Sequence, residues 1–101
     1  MTATPSEDPN ALNIQVEIED AIAQGVYSNL FLVGFTSEDV TLDFAYLQHT
    51  SAKARIRSRL VLSPRNAKRL ARLLTASVID YESKHGSITD ESGPSISLNY
   101  N

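Results

Sequence analysis

The sequence predicts a two-layer α+β domain: a four-stranded antiparallel meander with one C-terminal helix packed on one face. Three observations carry this. Three stretches alternate apolar and polar residues with the period of a strand, and a fourth is a short run apolar on both faces. One long stretch repeats its apolar residues with the period of a helix, and it opens on Ser63-Pro64. The connections between stretches are short, which favours antiparallel neighbours.

The first ten or so residues, Met1 to Ala11, are polar and proline-containing and read as a flexible arm. Ile14, Val16 and Ile18 alternate with Gln15, Glu17 and Glu19, the pattern of a half-buried first strand. Asp20 to Gln24 is a turn or a single helical turn, broken by Gly25.

Val26 to Thr36 reads as a second strand. Phe31, Val33 and Phe35 lie on one face, Leu30 and Leu32 on the other, so both faces are apolar. Such a strand is central or is covered by a partner. Tyr27-Ser28-Asn29 is a polar group entering an apolar strand. It either satisfies backbone at the strand's start or lines a polar pocket. Ser37-Glu38-Asp39 is a break of hairpin length. Val40 to Leu47 forms the third strand, with Val40, Leu42, Phe44 and Tyr46 opposite Thr41 and Asp43.

Lys53 to Leu62 forms the fourth strand. Strict alternation would put Lys53, Arg55, Arg57 and Arg59 on one face as a cationic ladder, and Ala54, Ile56, Leu60 and Leu62 on the other. The helix follows, with Ser63 as N-cap, Pro64 at the first helical position and Gly86 as its C-terminal stop. Ala67, Leu70, Leu74, Val78 and Tyr81 form a core-facing stripe, with Arg65, Lys68, Arg69 and Arg72 on the opposite side. Ile96, Leu98 and Tyr100 alternate near the end of the chain, giving either a short fifth strand or a loose tail. The organisation expected is thus an arm over 1–11, one domain over 12–86 and a tail over 87–101.

The charges are segregated. Lys53 to Arg72 holds eight basic residues and no acid, whereas the first 52 residues hold eight acids and no base. On the helix, the basic stripe is an anion or partner site, or simply a solvated face. On the fourth strand, the ladder binds an anion or pairs with acids such as Glu17, Glu19 and Asp43. A nucleic-acid function would use Arg65, Lys68, Arg69 and Arg72. It is disfavoured because the two basic groups fall on opposite sides of a two-layer domain. Segment 53–72 also lacks aromatic residues for base stacking.

The chain has no cysteine, which excludes disulfides and thiolate metal sites. It has no leader-like start and no apolar run of about 20 residues. A cytoplasmic protein that does not enter membranes is the expectation. His49 and His85 have no ligand spacing, and no nucleophile elbow or phosphate loop occurs, so neither an enzyme nor a cofactor is expected. One helix can cover only one face of a sheet. The second strand's apolar residues Leu30, Phe31, Leu32, Val33 and Phe35, with Leu73 and Ile79 beside the helix stripe, therefore predict a homodimer or higher oligomer.

Asn13-Ile14-Gln15-Val16-Glu17-Ile18, Gln24-Gly25-Val26-Tyr27-Ser28-Asn29, Asp43-Phe44, and Ser58-Arg59 through Leu62-Ser63-Pro64 to Ala67-Lys68-Arg69-Leu70 resemble the small prokaryotic family called domain of unknown function 3467. The resemblance covers about residues 13–85. It implies a small cytoplasmic bacterial or archaeal protein and carries no activity, substrate or catalytic residue. A looser likeness in element order is to the SecB-like export chaperones, which hold unfolded chains in apolar grooves. The functional expectation is a non-enzymatic oligomeric module that binds protein or assembles with itself. Nucleic-acid binding and a SecB-like holdase are the alternatives.

Overall fold

A computed structural model describes residues 11–89. The elements are α1 (Asp20–Ala23), β1 (Leu30–Phe35), β2 (Val40–Gln48), β3 (Lys53–Leu62) and α2 (Pro64–His85). The three strands form one antiparallel sheet in the order β1-β2-β3. The α+β class, the meander and the C-terminal helix are as expected, but the sheet has three strands rather than four.

The missing strand is the predicted first one. Residues 12–19 have no regular secondary structure, and Ile14, Val16 and Ile18 are 63%, 49% and 53% exposed. Alternation describes which side chains a strand would bury. A ladder also requires a neighbouring edge, and among the described residues this segment pairs with none. The alternating tail residues Ile96, Leu98 and Tyr100, and almost all of the arm, lie outside the described residues.

Local chemistry explains the elements that do form. Asp20–Ala23 makes one helical turn, and Gly25 leaves it at φ 76°, a left-handed conformation that costs glycine little. β1 begins later than expected because Ser28 and Asn29 form its entry. The Asn29 N–H donates to Ala45 O (3.0 Å), and the Ser28 hydroxyl donates to the same carbonyl (2.8 Å). The Asn29 side chain accepts from Leu47 N–H (2.7 Å) and donates to Leu47 O (3.2 Å), imitating a rung of the ladder. The reading that these polar residues satisfy backbone at the strand's start is the one the structure shows.

The β1–β2 hairpin closes on Thr36. Its hydroxyl accepts from the N–H groups of Glu38 and Asp39, and its own N–H donates to Asp39 O (2.8 Å). The β2–β3 turn places Ala52 at φ 51°, where a side chain is disfavoured. Ser63 caps α2 by accepting from Asn66 N–H, with Pro64 in the first turn. Gly86 ends it, donating its N–H to Glu82 O. Asp80, an acid toward the C-terminal end of α2 where negative charge opposes the helix dipole, has Lys84 at 3.2 Å, which offsets it locally.

The core is small. Ala45 is the one buried hydrophobic residue among those described, and Asp43 the one buried charged residue. Ala67, Leu70, Ala71 and Leu74 of α2 line a groove with Phe31, Val33, Val40, Leu42 and Phe44 of the sheet. The helix thus faces the predicted side of the sheet but does not close on it. Leu70, Leu74, Val78 and Tyr81 remain exposed instead of forming the expected core stripe, because the space between the layers is unfilled.

Candidate functional site

Residues directly opposite in a sheet share a face, and successive residues along a strand alternate. The register therefore sorts every candidate side chain. One face carries Phe31, Val33 and Phe35 of β1, Val40, Leu42, Phe44 and Tyr46 of β2, and Leu60 and Leu62 of β3. Phe31 and Phe44 meet edge to face on it, with ring centroids 5.9 Å apart. The other face carries Leu30 and Leu32, then Thr41, Asp43 and Ala45, then Arg59 and Val61.

The cationic ladder does not run straight. Ser58 lies opposite Phe44 and Ile56 opposite Ala45, so Arg57 is an extra residue at a β-bulge. Beyond it the faces of β3 exchange. Arg59 shares a face with Asp43, whereas Arg55 pairs with Tyr46 and Lys53 with Gln48 on the opposite face. Ala54 and Ile56 move correspondingly to the Asp43 face, away from Leu60 and Leu62. Period-2 reading from sequence placed all four bases together because nothing in residues 53–62 marks the bulge.

The divided bases have different surroundings. Arg59 donates from Nε to Asp43 Oδ1 (2.6 Å) and from Nη2 to Oδ2 (2.9 Å), a bidentate pair over a carboxylate only 5% exposed. These hydrogen bonds hold the Asp43 carboxyl below its usual value. Burial opposes them, and the guanidinium charge adds to the lowering. The acid on the third predicted strand thus pairs with the base on the fourth, as cross-strand pairing required. Glu17 and Glu19 make no ion pair among the described residues.

Lys53, Arg55 and Arg57 line a concavity of about 600 Å³ with Tyr46, Gln48, Ala52 and Ala54. These three bases form no ion pair with a described carboxylate. Tyr46 also meets Tyr27 edge to face, at 6.2 Å between centroids. Tyr46 and Gln48 were not singled out from sequence, since only the register change brings them beside Lys53 and Arg55. The basic residues of α2, Arg65, Lys68, Arg69 and Arg72, are exposed and line neither this concavity nor the apolar groove.

The apolar candidates are open. Phe31, Val33 and Phe35 are 62%, 68% and 82% exposed, while Leu30 and Leu32 are half-buried. The groove between α2 and the sheet encloses about 410 Å³ with an almost wholly apolar lining. Leu73 and Ile79 are exposed on the helix. His85 stacks on Tyr81 at 4.8 Å, and no group of three or more potential metal ligands occurs among the described residues. No described helix is long and apolar enough to cross a membrane.

No curated protein and no solved structure matches the chain, so the likeness to SecB-like chaperones stays an analogy of element order. A family model does match, over residues 1–90, and so takes in the N-terminal arm that the sequence resemblance left out. That model is described as protein of unknown function (DUF3467), and it spans most of this chain, which therefore belongs to that family.

Proposed function

We propose that the chain is a non-enzymatic assembly module whose working form is a homodimer or higher oligomer, built by joining the open sheet faces of separate copies. The observation that carries this is the exposure of Phe31, Val33 and Phe35 on a regular, hydrogen-bonded strand. Burying each such side chain contributes roughly 1.5–3 kcal/mol. With Ala45 the one buried hydrophobic residue among those described, the single chain leaves nearly all of that stabilisation unrealised there. Apposing two sheets, or a sheet and a second copy's α2, would supply the missing core. Leu73 and Ile79 are exposed on the helix too, outside the α2 residues that line the groove.

A SecB-like holdase would offer these surfaces to unfolded chains. It draws on the same exposure, without an observation that prefers an unfolded client over another copy. Nucleic-acid binding has less support, because Arg59 is engaged by Asp43 and the α2 bases do not line the concavity that Lys53, Arg55 and Arg57 line.

Light scattering on the full chain at micromolar concentration tests the reading. The expected result is a mass of two or more chains, with one cooperative unfolding transition that shifts upward with protein concentration. A monomer whose unfolding is cooperative and independent of concentration would overturn it.

A further inference from the structure

Residues 12–18 carry alternating apolar side chains yet form no backbone hydrogen bond among the described residues. β3 is at the sheet's edge, and its residues 53–57 are exposed. Among the described residues, a strand-like segment and a sheet edge thus both stand without a pairing partner. We infer that Val16–Glu19 of one copy adds as a strand to the Lys53–Ile56 edge of a second copy, an exchange that deepens the assembly reading and rests on it.

The choice of edge follows from charge and parity. Below the bulge, β3 presents Lys53 and Arg55 on the Tyr46 face and Ala54 and Ile56 on the other. The segment presents Glu17 and Glu19 on one side and Val16 and Ile18 on the other. One antiparallel register matches all four positions: Val16 with Ile56, Glu17 with Arg55, Ile18 with Ala54, Glu19 with Lys53. A slip of one residue would set the acids against Ala54 and Ile56. The β1 edge offers no such match, since its two faces are both apolar, with Phe31, Val33 and Phe35 on one and Leu30 and Leu32 on the other.

The same arrangement accounts for the basic concavity. Lys53 and Arg55 form no ion pair within the described chain, and the arriving strand brings their carboxylates. In a two-fold dimer each copy donates its segment and receives its partner's, so both edges are covered at once. The exchange also explains why alternation over 14–18 has the pattern of a strand in a segment that no described residue pairs with.

Charge reversal in the full chain tests it. E17K/E19K makes both segment and edge basic; K53E/R55E makes both acidic. Each variant alone should have its dissociation constant raised at least about tenfold by like charges set opposite one another. An equimolar mixture should recover the wild-type mass as a complex containing both chains, and the fourfold variant should assemble with itself. Recovery by mixing requires contact between copies, which light scattering and native mass spectrometry read directly. If each variant assembles as tightly as wild type, the strand exchange is wrong while the apolar-face assembly stands. If wild type is monomeric, both fall. Recovery in the fourfold variant without recovery on mixing places the contact within one chain and overturns the exchange. Loss of duplex-oligonucleotide binding by K53E/R55E at unchanged mass assigns the cleft to nucleic acid and overturns it too.

Discussion

Arg59 grips Asp43 across the β2–β3 ladder through two hydrogen bonds, 2.6 and 2.9 Å long, and covers the one buried carboxylate among the described residues. Because the carboxyl is held below its ordinary value of 3.8, ionised Asp43 favours the folded state. Its contribution is fully present above the unfolded carboxylate's pKa and is lost as pH falls through the lower folded pKa. Thermal melts of wild type should therefore lose stability on acidification below about pH 4. Asp43→Asn should melt lower near neutral pH and show a flatter acid limb. An acid limb equal to wild type would remove Asp43 from that role.

Asn29 stands in for a strand residue by bonding both backbone groups of Leu47. Asn29→Ala should cost about 1 kcal/mol in urea denaturation, since water can reach the freed groups at this exposed site. Asn29→Asp should cost at least as much, because it loses the donor and sets a negative charge beside the Leu47 carbonyl.

Ala52 is the one described non-glycine residue at positive φ. Ala52→Gly should stabilise by up to about 1 kcal/mol, the relief of the left-handed penalty exceeding glycine's added freedom when unfolded. Ala52→Val should act in the opposite direction. Equilibrium denaturation curves of both variants give the comparison.

Val33 lies between Phe31 and Phe35 on the open face of β1. In a monomer, Val33→Lys is a surface change expected to alter stability by no more than about 0.5 kcal/mol. In the proposed assembly it buries a charge against apolar neighbours, so the mass should fall to one chain and the melting temperature should drop with it. Light scattering and thermal melts on one sample separate the two cases.

Much of this architecture is legible in the residues themselves. Ser63-Pro64 and Gly86 bracket α2 because capping is a local matter of hydrogen bonds and backbone angles. The Thr36 turn is local in the same way. The Asp43–Arg59 pair was legible as chemistry, an acid and a base on adjacent strands, and the register then chose these two partners from several.

Non-local relations were not legible. A single unpaired residue at Arg57 exchanges the faces of β3, sending Arg59 to Asp43 and leaving Lys53 and Arg55 beside Tyr46 and Gln48. Whether Ile14, Val16 and Ile18 form a strand depends on an available edge, a property of the assembled sheet and not of the segment. By itself the sequence determined where backbone turns, where helix α2 starts and stops, and which residues seek burial, since each rests on neighbours a few positions away. Only the tertiary structure decided which face each base occupies and how much apolar surface stays uncovered, because both depend on how distant strands align and on how closely the layers approach.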